Sequence, residues 1–407
     1  MARKMRDSGV EWIGEVPEGW EVNLIGTFYS QRSEKVSDRD YAPLSVTMKG
    51  VLPQLATVAK TDDGDNRKLV KKGDFAINSR SDRRGSCGIS EYDGSVSLIN
   101  TILMPRGEMD PRYYNWLFHT EAFADEFYKW GHGIVDDLWT TRWSEMKRIQ
   151  IVAPPLPEQR AIADYLDGKC AAIDVAVDEL KRGIEDCKAW KKAIIFEAVT
   201  GKASVSAAKN AKVAKRQMRD SGIPWIGEIP EGWEVMKGKY LFSARSGDAI
   251  RNEILADNGT YPVYGGGEVI GFADNWNCDA KTVLIGRVGA RCGCVTLLRN
   301  RAWATDNALM ISTNKCVRYI TYLLIGANLN QFNSSNAQPL ITAGKIKNLP
   351  FPFVCDLREQ QAIADYLDEK CAAIDALVAE KEKLIVDLEA YKKSLIFELV
   401  TGKREVA

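Results

Sequence analysis

The sequence predicts two α+β domains of similar fold, separated by an antiparallel pair of long coiled-coil helices in a pseudo-twofold internal repeat. Three observations carry that reading. Residues 5–22 (MRDSGVEWIGEVPEGWEV) and 218–235 (MRDSGIPWIGEIPEGWEV) agree at 15 of 18 positions. Residues 156–202 and 357–403 agree at 30 of 47, both running from Glu-Gln through Ala-Ile-Ala-Asp-Tyr-Leu-Asp to Val-Thr-Gly-Lys. Between the repeats lie two inserts of dissimilar sequence. Self-similarity on this scale constrains architecture before any local propensity does. The chain therefore divides into a first domain (1–155), a first helix (156–202), a linker (203–217), a second domain (218–356) and a second helix (357–407).

The inserts share an outline. GDFAINSR runs into SDRRGSCGI in the first and KTVLIGR into VGARCGCV in the second. Each reads as strand, Arg/Gly loop, strand. SLINTILM and ATDNALMI follow, with Asn100 and Asn307 in matching places. Asp110 before Pro111 predicts a helix over 111–130, and Asn314 predicts one over 315–332. Final strands are expected over 148–152 and 346–353.

In the repeated C-terminal segments, apolar residues recur by alternating steps of four and three. The first seam runs Leu166, Cys170, Ile173, Val177, Leu180, Ile184, Cys187, Lys191, Ile194, Ala198. The second runs Leu367, Cys371, Ile374, Val378, Lys381, Ile385, Leu388, Lys392, Leu395, Leu399. This is a coiled-coil stripe, in which the interior lysines are expected to snorkel to water. Gly201 and Gly402 suit helix C-caps. Each stripe is about 50 Å long, and the linker stretches to at most about 50 Å. A parallel pair would leave the linker no slack, so the helices are expected to run antiparallel. That arrangement predicts two heads held apart by a rod, with Val406 near the 5–22 segment.

Composition excludes several functions. Basic and acidic residues number 55 each, and 45% of the chain is apolar. No apolar run reaches 18 residues, so no membrane span is expected. The start lacks a secretory h-region, and nine scattered cysteines read as reduced thiols, which together predict a cytoplasmic protein. Only two histidines exist, His119 and His132, and no C-x-x-C occurs, which argues against zinc and against His-based nucleophilic catalysis. There is no P-loop motif and no S-adenosylmethionine or target-amine motif. Asp137 with Glu145 and Lys147 is a weak outline of a metal-dependent nuclease, present in one insert alone. No catalytic, cofactor-binding or metal-binding residue is expected.

The paired W-I-G-E-x-P-E-G-W segments, the paired L-x-E-Q-x-A-I-A-D-Y-L-D helices closing in V-T-G-K, and the two unlike inserts resemble the DNA-specificity subunit of type I restriction-modification systems. The resemblance covers essentially the whole chain. It implies that the inserts are target recognition domains, that the helices space them, and that the chain itself is not an enzyme. It implies double-stranded DNA, two methyltransferase subunits and ATP-driven restriction subunits as partners. S-adenosylmethionine, ATP and magnesium would belong to those partners, whose complex methylates adenine. Residues 155–159, Pro-Leu-Pro-Glu-Gln, stand as the family's usual lead into the spacer helix. Residues 356–360, Asp-Leu-Arg-Glu-Gln, depart from it and leave the second junction open. The rival reading is a non-enzymatic protein-bridging scaffold with two different interaction heads.

On the DNA reading, each head takes one half of an asymmetric, bipartite site, with half-sites roughly 34 Å apart on one face of the duplex. Donors that reach base edges are typically Arg, Asn or Gln. Candidates are Asn78, Arg80, Arg83 and Arg84 in the first insert, and Arg287 and Arg291 in the second, near Tyr264, Gly265 and Gly266. The glycines of 265–267 would admit close backbone approach to DNA. The alternative for the arginines is a solvated turn, paired with Asp82 or Asp93. Arg67, Lys68, Lys71 and Lys72 form a basic run that either meets phosphate or is a solvated face beside Asp62, Asp63 and Asp65. Residues 1–155 carry 21 basic and 23 acidic groups, and 218–356 carry 14 and 12. Neither head is strongly basic, so the isolated chain should bind DNA weakly, with partner subunits supplying much of the phosphate grip. Trp12, Trp20, Trp225 and Trp233 are expected to pack where head meets helix rather than to form a binding patch.

Overall fold

The computed structural model describes residues 3–54, 64–133, 139–203, 205, 216–251, 255–333 and 339–406. Most of the linker 203–217, together with Asp62, Asp63 and Asp137, lies outside the described residues. The chain forms two compact units, Met1–Leu180 with Lys383–Ala407, and Lys181–Glu382.

The first unit is built on a four-stranded antiparallel sheet. Its strands are β1 (Tyr29–Arg32), β2 (Phe75–Asn78), β3 (Cys87–Ile89) and β4 (Asn100–Pro105), in the order β3-β2-β4-β1. All four residues of β2 are buried, because the sheet is covered on both faces. Successive side chains on a strand point to opposite faces. Phe75 and Ile77 accordingly join Leu103 in the core beneath the helices, while Ala76 joins Ile102 and Val70 in the core beneath a smaller sheet. The helical layer is α1 (Pro111–Phe118) and α2 (Glu121–Lys129). Asp110 caps α1 as expected, accepting from Arg112 N at 2.9 Å. The expected single helix over 111–130 is instead two, because Thr120 caps a fresh start by accepting from Phe123 N.

The first long helix is α3 (Leu156–Val199). The second unit repeats the sheet with β5 (Ser243–Ser246), β6 (Val283–Gly286), β7 (Val295–Leu297) and β8 (Ala308–Ser312), in the order β5-β8-β6-β7. Its faces divide in the same way. Val283, Ile285, Leu309 and Ile311 lie with the helices, and Leu284 and Met310 with the smaller sheet. Here α4 spans Val317–Gly326, with no side-chain cap, followed by a 3-10 turn at Leu329–Phe332. This shortens the expected 315–332 helix at both ends, and Asn314 is not its cap. The last strand is Pro350–Phe353 alone, because Thr342 starts a short helix at Ala343–Asn348. The second long helix is α5 (Leu357–Val400).

Strand register corrects one correspondence read from the sequence. Asn100 pairs with Asn78, and Ala308 with Gly286. Asn100 therefore matches Ala308, and Asn307 matches Ile99.

Each unit contains antiparallel halves of both long helices. In the first, Ile162, Leu166 and Cys170 of α3 pack with Leu395, Leu399 and Val400 of α5. In the second, Cys187, Ile194 and Ala198 pack with Leu367, Cys371 and Ile374. The seam lysines do not simply snorkel. Lys392 binds Asp174 at 2.6 Å in the first unit, and Lys191 binds Asp375 at 2.7 Å in the second. Burial raises the Cys170 thiol pKa to about 11, so this seam thiol stays protonated.

The repeated tryptophan segments pack at the junctions. Trp20 and Trp233 are buried, and their indole N–H groups donate to Glu158 at 2.8 Å and Glu359 at 3.3 Å, at the starts of the long helices. Gly402 (φ +73°) ends α5 against Pro17 and Trp20, and Gly201 (φ +72°) ends α3 against Pro230 and Trp233. A Cβ at either glycine would lie 2.5 Å from the proline ring. Lys403 Nζ donates to Ile13 O, and Val406 packs on the first unit's core, so the chain's last residues meet its opening segment as expected.

Candidate nucleic-acid interface

Each insert carries one loop between the second and third strands of its main sheet, closed by a 3-10 turn: Ser81–Arg83 in the first and Gly289–Arg291 in the second. Backbone bonds hold both loops on the sheet. Asn78 N donates to Ser86 O, and Gly286 N donates to Cys294 O, both at 2.8 Å. The asparagine also fixes the loop's shape, its Oδ1 accepting from Arg80 N at 3.1 Å. Asn78 is buried, so its role is to position the loop rather than to reach out of it. No side chain larger than hydrogen fits at Gly286, whose Cβ would stand 2.1 Å from Gly266 O.

The structure brings Asn78, Arg80 and Arg84 together on the rim of a pocket lined by Phe118, Phe127 and Trp139. Arg84 pairs with Asp125, and Arg83, two-thirds exposed, lies 3.7 Å from Asp82. In the second insert Arg291 is exposed and pairs with Glu268 at 3.1 Å. Arg287 is half-buried. Its Nη1 makes long bonds of 3.3 Å to Ser246 Oγ and Asp306 O, and its buried Nε has no partner. Ion pairs in water are weak, so the exposed arginines can exchange a carboxylate for a phosphate or a base edge at little cost.

Two members of the basic run 67–72 are not on a binding face. Arg67 is only 4% exposed and donates to Ser95 Oγ at 2.8 Å and Ser95 O at 2.9 Å. Lys68 is half-buried, with Nζ on Asn100 O at 2.6 Å. Burial lowers the pKa of both groups. Their strand, Arg67–Val70, is the central one of the small three-stranded sheet, where a long cationic side chain satisfies carbonyls. Lys71 and Lys72 remain exposed, with Lys72 beside Glu91.

Tyr264 packs against the small core of the second insert. Gly265 is buried within its strand, and Gly267 (φ +121°) makes the turn. The glycine run is explained by the hairpin and by the close approach of Gly286. Among the described residues no group of three His, Cys, Asp or Glu side chains is placed to hold a metal.

Sequence reasoning missed the role of Gln159 and Gln360. Gln159 accepts from Asp110 N and donates to Pro154 O; Gln360 accepts from Cys316 N and donates to Val354 O. Each glutamine thus ties its long helix to the start of the insert's own helix. Their repetition in both E-Q pairs was the available signal. The second junction, left open by its altered sequence, makes the same bonds.

Residues 230–385 match the family described as Type I restriction modification DNA specificity domain. Over 434 aligned positions the chain is 24% identical to the type I restriction enzyme MjaVIII specificity subunit of Methanocaldococcus jannaschii, covering 96% of this chain and 94% of that one. Residues 230–385 thus match that family's domain, and the chain is similar to a curated specificity subunit along nearly its whole length. A 111-residue stretch is 34% identical to the EcoprrI specificity subunit of Escherichia coli, spanning 27% of each chain. Solved structures share the fold of this chain. A chain from a study of complex assembly and conformational transition of the type I R-M system aligns with a TM-score of 0.73 at 12% identity, covering 96% of this chain and 99% of that one. The HsdS subunit from Thermoanaerobacter tengcongensis aligns at 0.53 and 14%, covering 96% and 98%.

Proposed function

We propose that this chain is the non-catalytic, sequence-reading subunit of a type I restriction-modification assembly. Each insert recognises one half of an asymmetric, bipartite duplex site. The observation that carries this reading is one sheet-and-loop frame built twice with different side chains on the loops, in a chain similar to specificity subunits along nearly its whole length. A protein-bridging scaffold is not favoured, because it gives no account of the match of residues 230–385 to the DNA specificity domain.

Two methyltransferase subunits bind the chain, and restriction subunits join them in the full complex. S-adenosylmethionine, ATP and magnesium act in those partners, in the cytoplasm. No described helix is long and apolar enough to cross a membrane. The long helices offer matched docking points for the methyltransferase subunits, since Trp190 and Tyr391 occupy equivalent repeat positions and are both exposed. An aromatic side chain left in water on a helix face is a frequent interface anchor.

Mapping methylated adenines in cells that express this chain with its methyltransferase tests the reading. A split, asymmetric motif is expected; methylation without sequence preference would refute it. Purified chain incubated alone with DNA, magnesium and S-adenosylmethionine is expected to leave the DNA unmodified.

A further inference from the structure

The internal repeat builds the same loop twice on different sequences, so the two copies can be compared position by position. Ser86 N bonds Arg83 O, and Cys294 N bonds Arg291 O, both at 3.0 Å. Thr141 N bonds Ser79 O at 3.0 Å, and Ile341 N bonds Arg287 O at 2.9 Å. Gly85 (φ +74°) and Gly293 (φ +84°) close the two turns. These bonds place Arg83 on Arg291 and Ser79 on Arg287. Arg83 and Arg291 carry the same side chain, 68% and 57% exposed, while the residues on either side of them differ.

Phosphates are alike at every step of a duplex, whereas base edges are not. If the inserts read different half-sites, a side chain that reads a base must change between them. One that meets the backbone can stay the same. Arg287 lies at a changed position. Its backbone N and O are both held, by Asn307 O and Ile341 N, and its guanidinium is tethered by long bonds of 3.3 Å to Ser246 Oγ and Asp306 O, which a base edge can replace. Its counterpart Ser79 is buried and bonded to Thr101 at 2.9 Å, so it reaches nothing outside.

We propose that Arg83 and Arg291 are a matched pair of DNA-backbone contacts blind to sequence, and that Arg287 determines specificity in the second half-site. This rests on the reading of the chain as a specificity subunit. The exposed carboxylates beside the matched pair, Asp82 and Glu268, are displaced when phosphate arrives.

The test uses the full chain assembled with its methyltransferase. Affinity is measured against salt for a duplex carrying the mapped target and for a scrambled duplex of equal length. If the wild-type assembly does not prefer its target, the specificity-subunit reading has failed before any variant is made. With preference established, Arg83→Gln and Arg291→Gln should each weaken binding to both duplexes several-fold. Each should also flatten the plot of log affinity against log salt by about 0.9, with the methylated motif unchanged. Arg83→Lys and Arg291→Lys should keep the wild-type slope. Arg287→Ser should cut discrimination at one base pair of the second half-site about tenfold and leave the first half-site intact. A motif altered by Arg83→Gln or Arg291→Gln, an unchanged slope in either, or full discrimination by Arg287→Ser would each overturn the assignment it tests.

Discussion

Gln159 is 3% exposed, and both ends of its amide are used, on Asp110 N at 2.9 Å and Pro154 O at 2.8 Å. Truncation would strand a buried N–H and a buried carbonyl, which typically costs about 1–3 kcal/mol. Gln159→Ala is therefore expected to lower the thermal midpoint clearly, and Gln159→Glu to lose the bond to Pro154 as well; a melt matching wild type for the alanine variant would contradict this. His119 makes a second residue-scale prediction. Its Nδ1 lies 2.7 Å from Asn115 O, and its Nε2 lies 3.8 Å from the Cys87 thiol. The carbonyl accepts from Nδ1–H, leaving Nε2 to accept. Burial, the largest cause, lowers the imidazole pKa below its usual 6.5, against the raising effect of hydrogen bonds to the Asn115 and Cys87 backbone. Burial also pushes the Cys87 thiol up, so the pair is neutral and unreactive. With the folded value depressed, the unfolded chain binds the proton more readily. The stability from neutral His119 is complete above 6.5 and is lost as pH falls through the lower folded value. An NMR titration of His119 with a midpoint at or above 6.5 would contradict this.

The two long helices are specified by more than their apolar stripe. Seam lysines Lys191 and Lys392 meet Asp375 and Asp174, the last residues of the two repeated Ala-Ala-Ile-Asp runs. Each pair forms only in an antiparallel pairing at this register. The aspartates are about three-fifths exposed, so neutralising one pair should cost below about 1 kcal/mol. Reversal is more informative. Lys191→Asp sets like charges across the seam and is expected to lower the melting temperature, and Asp375→Lys in the same chain is expected to restore it. No recovery would mean that the pair does not form. On the outer faces, Trp190→Ala and Tyr391→Ala should leave melting unchanged while weakening methyltransferase capture in a pulldown with purified subunits. Equal capture would remove these aromatics from the docking surface.

At the scale of the whole molecule, each repeated segment closes onto a helix from elsewhere in the chain. Gly402 and Lys403 seat against the opening segment, and Gly201 seats against its second copy. An insert is thus a replaceable part on a repeated frame. Exchanging residues 23–150 for the insert of a type I specificity subunit should change one half of the methylated motif and spare the other. Methylome sequencing in which both halves change would contradict this modularity.

The repeat, the two long helices, their antiparallel sense and the closing of the chain's ends were all legible in the sequence, because identity between copies and a seven-residue stripe are one-dimensional signals. The breaks within the inserts were less so. Thr120 restarts a helix within an apolar pattern that runs on across it, and local periodicity does not weigh a cap against continuation. Which cations face outward was decided by the tertiary structure alone. Arg67 and Lys68 read like Lys71 and Lys72 along the chain, but strand pairing turns the first two onto Ser95 and Asn100. The loops differ in the same way. Arg80 and Arg287 end similar strand motifs, yet register places them one residue apart, and on an extended strand one residue reverses the face to which a side chain points.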